Sequence, residues 1–231
     1  LKPDFAASHK VLSIYFYLIG NKDFALNSSL KANSLDPKDI SNKVLLNIFK
    51  GEVNREKITP NENISKSIIE EDILDSNPFI LNRPVAKELI ESLYKIKAQD
   101  QAQYQKPTYG NAIGSNYEFF DRNESTIKAI KDDLIKISMN AVHSEILIVD
   151  SFFTIFRSGG GLISHAHLNE LDMIKGINIA GRKFSLVYYL SVGDQNCDEP
   201  GILKLENPNQ NILPNNGLIV IFPAERKHSV F

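Results

Sequence analysis

The sequence predicts an α+β protein in which helices come first and an antiparallel β structure follows. Residues 1–51 show helical periodicity and a self-similarity, because "LKPDFA" at Leu1 recurs as "LDPKDI" at Leu35. From Ser144 onward the pattern changes to strand-like segments at residues 145–158, 183–192, 201–205 and 217–223. Turn-forming segments rich in Gly, Pro, Asn and Asp separate the later strands, which favours a sandwich or barrel over a parallel βαβ sheet.

The N-terminal segment resembles a tetratricopeptide repeat. The two similar hexapeptides lie 34 residues apart, which is the period of that repeat. Leu12, Phe16, Ala25, Ala32 and Pro37 stand where the repeat has a leucine, an aromatic residue, two small residues and a closing proline. The small residues are expected where its two helices approach closely. A generic helical hairpin is the alternative interpretation.

The first predicted helix has an apolar face formed by Val11, Leu12, Tyr15 and Leu18. A turn at residues 20–23 leads to the second helix, and a further partial helix is predicted at residues 40–50. A single repeat cannot bury its own apolar face and needs neighbours. We therefore expect this unit to end a longer array and to bind a protein or peptide partner.

Two amphipathic helices are predicted between the repeat and the strands. They span residues 84–101, beginning at Pro84, and residues 125–142, where Ser125 is a suitable cap. A shorter helix is predicted at residues 64–74, inside a polar connector that is interrupted by two prolines. These helices are expected to support the strands that follow them.

Composition limits the classes of partner. The formal net charge is −2, so the chain lacks the basic field that nucleic-acid binding requires. No apolar run approaches the roughly 20 residues that span a bilayer, so no membrane association is expected. The single cysteine, Cys197, excludes an internal disulfide and fits a reducing compartment. We therefore expect a cytoplasmic protein.

Three of the five histidines fall in the strand region. His165 and His167 follow three glycines at residues 159–161, and His228 lies 61 residues beyond His167. Residues i and i+2 of a strand point to the same side, so His165 and His167 can converge on one point. A distant third histidine would complete an open metal site, and imidazole suits Fe, Zn, Cu and Ni alike. His9 and His143 are interpreted as structural.

Residues 84–231 resemble the double-stranded β-helix (jelly-roll) domain of prolyl hydroxylase-like oxygenases that depend on 2-oxoglutarate and Fe(II). The matching pieces are "FRSGGGLISHAH", "FSLVYYLSV", "EPGILKLENP" and "ILPNNGLIVIFPAERKHSV". The resemblance implies an Fe(II) cofactor, 2-oxoglutarate as co-substrate and hydroxylation of an unidentified substrate. By this similarity His165 and His228 are iron ligands, and His167 occupies the place of the usual aspartate. Tyr189 matches a position that bonds the far carboxylate of 2-oxoglutarate.

Two departures from the oxygenase pattern affect the predicted site. The usual metal-binding set is two histidines and one carboxylate, so Glu170 and Asp172 are alternatives to His167 as third ligand. The family also places an arginine beyond the distal histidine, where its planar fork pairs with 2-oxoglutarate. The matching position would fall after Phe231, so either the domain lacks its last strand, which is the expectation, or the protein is not an oxygenase. Arg226 precedes His228 and is not expected to substitute.

A cupin is the alternative to the oxygenase. "GGGLISHAHLNELDMIKG" resembles the first cupin motif, and "GLIVIFPAERKH" resembles the second, with Glu225 in place of a glycine. By that resemblance a metal would be held by His165, His167, Glu170 and His228, and no 2-oxoglutarate would be needed. The strands around "VYYL" and "EPGILKL", together with the fused repeat, favour the oxygenase.

The predicted domain organisation has three parts. Residues 1–51 are a tetratricopeptide remnant, residues 52–83 a connector, and residues 84–231 the double-stranded β-helix domain. Within the last part, the loop at residues 168–182 is expected to act as a lid over the substrate.

Overall fold

The computed structural model describes residues 5–57, 77–97, 99–100, 108–198 and 200–231. Helices and strands both form in this part of the chain, and the pairings between the named strands are antiparallel. The architecture is therefore mixed helix and antiparallel sheet, consistent with the predicted α+β class. Within the described ranges, no helix has the length and apolar character needed to cross a bilayer.

The element bounds are as follows. The helices are α1 (Ala6–Leu18), α2 (Lys22–Leu35), α3 (Ile40–Lys57), α4 (Lys87–Lys95) and α5 (Ser125–Val142). The strands are β1 (Phe79–Asn82), β2 (Gln99–Asp100), β3 (Thr108–Tyr109), β4 (Ala112–Gly114), β5 (Thr154–Phe156), β6 (Gly161–His165), β7 (Phe184–Tyr188), β8 (Leu203–Leu205), β9 (Gln210–Ile212), β10 (Leu218–Pro223) and β11 (His228–Val230).

The chain divides into two compact units. The helical unit contains α1, α2, α3 and a distant segment, residues 169–179. The sheet unit contains α4, α5 and the strands β1 to β11. The predicted connector extends across this division, since α3 continues to Lys57 and residues 79–82 pair with β10 as β1. The short helix predicted at residues 64–74 lies outside the described residues.

The core of the helical unit takes side chains from all four of its parts. Its buried members are Ala25, Leu45, Ile48, Phe49, Ile177 and Ile179. Ile177 and Ile179 belong to the segment 169–179, and Leu171 and Ile174 pack against the same cluster. The predicted lid is therefore largely an anchored part of the helical core, because burial of these isoleucines holds the segment in place.

The predicted apolar face of α1 is wrong in its orientation. Val11, Tyr15 and Leu18 are each more than half exposed, whereas Ser13 is completely buried. The inward side also carries Ile14, Phe16 and Tyr17, which pack against the core of the helical unit. Helix α1 is apolar on both sides, so periodicity alone did not decide which side faces inward. Ala25 and Ala32 of α2, the two predicted small residues, are both buried.

In the sheet unit, β10 lies between β1 and β7, while β11 lies in the middle of the sheet β3-β6-β11-β8-β9. A third sheet has the order β2-β4-β5. The two faces of β10 are buried in different clusters. Ile219 and Ile221 pack with residues of α4 and α5, whereas Leu218, Val220 and Phe222 pack with residues of β8 and β11. This double burial explains why β10 reads as a continuous apolar run.

The first amphipathic helix of this region is shorter than predicted. It ends at Lys95, because Ile96 already has an extended backbone, and Gln99–Asp100 pairs with β4 as β2. The second helix, Ser125–Val142, has the predicted bounds.

Replacing Ile177 with Ala should destabilise the helical unit by about 2–5 kcal/mol, since the change leaves a cavity in a packed core. Met173 lies in the same segment and is 67% exposed, so Met173→Ala is a matched control expected to change stability by less than about 0.5 kcal/mol. Hydrogen exchange of the α2 and α3 amides would measure both effects. Equal protection in the two variants would contradict the assignment of residues 169–179 to this core.

Candidate metal centre

Two neighbouring strands bring two of the predicted ligands together. Strands β6 and β11 are antiparallel, and His165 stands directly opposite His228 in their register. The two imidazole rings lie 4.3 Å apart between centroids. On its other side, His228 pairs with Leu205 of β8, so its strand is held from both edges.

His167 joins this pair from just beyond the end of β6. Its backbone N–H donates to the carbonyl oxygen of Ala224 at 2.9 Å, which ties it to the chain that follows β10. Its ring stacks on that of His228 with centroids 5.0 Å apart, and the two Nε2 atoms are separated by 3.3 Å. One ligand atom from each of the three histidines lies within 4.8 Å of the others.

Backbone hydrogen bonds orient two of the three rings. The Nδ1 atom of His165 lies 2.8 Å from the carbonyl oxygen of Ile163, and that of His228 lies 3.3 Å from the carbonyl oxygen of Arg226. A carbonyl oxygen only accepts, so each contact selects the tautomer with the proton on Nδ1. The Nε2 lone pair is then available to a metal in both rings.

The surroundings keep the imidazoles neutral. Burial, together with the charges of His165 and His167, lowers the pKa of His228 to about 3. Burial, together with the charges of His165 and Lys183, lowers the pKa of His167 to about 4. Burial also lowers the pKa of His165. Neutral imidazole is the form that binds metal, so the rings are ready to coordinate at pH 7.

Tyr189 is the residue predicted to bind the co-substrate. Its hydroxyl is a buried polar atom without a hydrogen-bond partner among the described residues. Its ring packs in the apolar cluster that also contains Val220 and Phe222, and the Phe222 ring lies 4.9 Å from that of His228. Burial raises the pKa of Tyr189, so the phenol stays protonated. Buried hydroxyls normally have a partner, so this one is suited to donate to a bound ligand.

The alternative carboxylate ligands are placed differently. Glu170 and Asp172 belong to the segment 169–179 of the helical unit. Glu170 is exposed, while the buried Asp172 carboxylate accepts a 2.7 Å hydrogen bond from the backbone N–H of Asn169. Among the described residues, the group with metal-ligand geometry consists of His165, His167 and His228 alone.

The remaining histidines lie elsewhere. His143 ends α5 in a left-handed conformation with φ of 49°, and His9 lies within α1.

Sequence reasoning did not identify Lys183, whose charge acts on His167. In the sequence this lysine lies two residues before Ser185 in a strand-like segment, which only weakly predicts that it lies near a histidine. The face of the sheet to which it belongs is determined only when the partner strands are known.

No protein-family model matches the chain, and no curated protein matches it. Among solved structures, it is similar to a prolyl-4-hydroxylase of Pseudomonas putida at 14% sequence identity and a TM-score of 0.47. The likeness covers 67% of this chain and 84% of the hydroxylase. At this level of identity and overlap it assigns no activity.

The metal-free protein should lose stability as the pH falls from 7 towards 4. Between the ordinary histidine pKa of about 6.5 and the lowered values of His167 and His228, the unfolded chain binds more protons than the folded one. The free energy of unfolding therefore rises with pH in this window. Urea unfolding at a series of pH values measures the slope.

Carboxylates also titrate near the lower end of this window. The wild-type slope of the free energy of unfolding against pH is therefore compared with the slope of a histidine variant. His228→Gln should flatten the dependence, because it removes a titrating ring whose pKa burial lowers. Identical slopes in the wild type and His228→Gln would contradict the burial of a neutral imidazole at this position.

Proposed function

We propose that this chain is a 2-oxoglutarate- and Fe(II)-dependent dioxygenase that hydroxylates a C–H bond of a substrate not yet identified. The observation that carries the proposal is the convergence of His165, His167 and His228, whose ligand atoms lie within 4.8 Å of one another. The finer architecture belongs to the same proposal. The sheet unit would be a double-stranded β-helix, and the helical unit a tetratricopeptide repeat.

The chemistry of the donor set supports an open metal site. Three neutral imidazoles suit Fe(II) as they suit Zn, Cu and Ni. A metal held by only three protein ligands keeps positions for exogenous ligands, as catalytic metal sites do. When bound, Fe(II) would supply oxygen activation coupled to the oxidative decarboxylation of 2-oxoglutarate.

The third histidine has an electrostatic consequence. A usual set of two histidines and one carboxylate carries one negative charge, whereas His165, His167 and His228 as neutral rings carry none. The site would then retain the full positive charge of a divalent ion, which strengthens its attraction for an anionic co-substrate.

Other residues of this chain would bind the co-substrate and exclude water. The protonated Tyr189 hydroxyl would donate to the far carboxylate of 2-oxoglutarate, a contact that would satisfy its buried oxygen. Phe222, which touches the His228 ring, and the apolar cluster around Phe222 would keep bulk water from that ring.

A cupin-type metal-binding protein without 2-oxoglutarate is the second candidate. The observation that favours it is the convergence of all three histidines, because the cupin resemblance uses His165, His167 and His228 together as ligands. That candidate also uses Glu170 as a ligand, so loss of metal in Glu170→Ala would support it. Unchanged metal content in that variant would count against it.

The helical unit is proposed to bind a protein or peptide partner. Its support is the exposed apolar surface of α1 and α2, where Val11, Tyr15, Leu18 and Phe24 are each more than half exposed. Contiguous exposed apolar side chains often mark interaction sites.

Purified protein reconstituted anaerobically with Fe(II) should convert 2-oxoglutarate to succinate when oxygen is admitted. His228→Ala should bind iron at least about 10-fold more weakly and lose turnover, because a directly bound ligand is removed. His143→Ala is a matched control that should retain both properties. Stoichiometric metal binding with no 2-oxoglutarate binding or turnover would overturn the oxygenase proposal and support the cupin alternative.

Tyr189→Phe should weaken 2-oxoglutarate binding about 10- to 100-fold, the loss expected for one hydrogen bond to a charged group. Since the hydroxyl has no partner among the described residues, the stability of the ligand-free protein should not fall. Calorimetric titration of 2-oxoglutarate into the Mn(II)-loaded variant measures the first effect. Tyr117→Phe, at a residue that is 64% exposed, is the control. Equal affinity in all three proteins would remove Tyr189 from the proposed site.

A further inference from the structure

Arg226 is a buried cation whose side chain donates hydrogen bonds to the segment that follows β8. Only 7% of the residue is exposed. Its Nε donates to the backbone oxygen of Glu206 at 2.8 Å, and its Nη2 donates to the backbone oxygen of Pro208 and, at 3.0 Å, to Oε1 of Gln210. Glu206 and Pro208 lie in the connection from β8 to β9, and Gln210 is the first residue of β9. A planar guanidinium with several fixed acceptors has little freedom to move.

The backbone of Arg226 is engaged with the candidate metal centre. Its carbonyl oxygen lies 3.3 Å from Nδ1 of His228, the contact that selects the tautomer with a free Nε2. The next residue is tied to the same turn, because the backbone N–H of Glu206 donates to the carbonyl oxygen of Lys227 at 2.9 Å. Both residues that precede His228 are therefore attached to the β8–β9 turn.

The same turn also contacts the strand that carries His165. The carboxylate of Glu206 accepts a hydrogen bond from Ser164 Oγ, one residue before His165. In the sheet, His228 lies between His165 on one side and Leu205 on the other. Glu206, which follows Leu205, is thus placed to link the neighbours of both histidines.

We propose that Arg226 and Glu206 form a positioning pair that fixes the orientation and tautomer of His228 and braces His165 for metal binding. This inference rests on the proposed metal-dependent function but does not depend on the identity of the co-substrate. Neither residue would touch the metal. Arg226 acts through its carbonyl oxygen and through the hydrogen bonds that its guanidinium donates to the turn. Glu206 acts through its hydrogen bond with Ser164.

The physical reason is preorganisation. Metal ligands gain affinity when a hydrogen bond to their other nitrogen holds the ring and its tautomer, and loss of such a partner costs roughly 10- to 100-fold in metal affinity. Without the guanidinium, the turn at residues 224–227 keeps the backbone bond between Glu206 and Lys227 but loses its side-chain attachment to the β8–β9 connection. The Arg226 carbonyl oxygen is then no longer held beside His228, and a fraction of the His228 rings carries its proton on Nε2.

The test combines Co(II) titration with imidazole ¹⁵N NMR of the metal-free protein. Arg226→Met retains the aliphatic stem but removes the donors, and it should bind Co(II) about 10-fold more weakly or worse. Its His228 ring should show both tautomers, whereas the wild type shows the Nδ1–H form. Arg226→Lys retains the charge and one donor group, so partial rescue is expected. Arg122→Met, at a surface arginine paired with Glu124, is the matched control.

The outcomes separate this inference from the function on which it rests. If the wild type binds no Co(II), the proposed metal function fails. If the wild type binds Co(II) while Arg226→Met has the same affinity and the same His228 tautomer, the positioning role is overturned. Should Arg226→Met fail to fold, Gln210→Leu removes only one of the three acceptors and is judged by the same two readouts. Unchanged affinity and tautomer in that variant would also overturn the role.

Discussion

The pairing of β6 with β11 is the constraint on which the rest of the candidate metal centre depends. It places His165 opposite His228 in one antiparallel register. A shift of one residue would turn one of the two side chains to the opposite face, because side chains alternate along a strand. His167 adds to this pair through its own backbone hydrogen bond to Ala224, which fixes the end of β6 beside the chain leaving β10.

Burial in this register has two linked effects on the histidines. It lowers the pKa of each ring, so the metal-binding neutral form dominates at pH 7. It also requires each ring proton to find an acceptor, and the carbonyl oxygens of Ile163 and Arg226 meet that need for His165 and His228. The buried His228 and the partly buried His165 and His167 thus present ligand atoms that lie within 4.8 Å of one another.

Much of this arrangement could be predicted from local sequence signals. These signals are the spacing of His165 and His167, the strand-like runs and the small residues of α2. Each of them is a pattern among residues that are close together in the chain. The inward side of α1 and the site of residues 169–179 could not be predicted, because both depend on long-range packing. The role of Arg226 was also hidden, since its acceptors lie 16 to 20 residues away and become neighbours only when β8, β9 and β11 pair.

X-ray absorption fine structure of the Co(II)-loaded protein tests the central claim most directly, because it counts the imidazoles bound to the metal. The three-histidine centre predicts multiple-scattering features of three imidazoles at nitrogen distances of about 2.0–2.2 Å, with the remaining positions filled by light atoms. A shell with fewer than three imidazoles would contradict the account. It would show that His165, His167 and His228 do not together hold one metal ion.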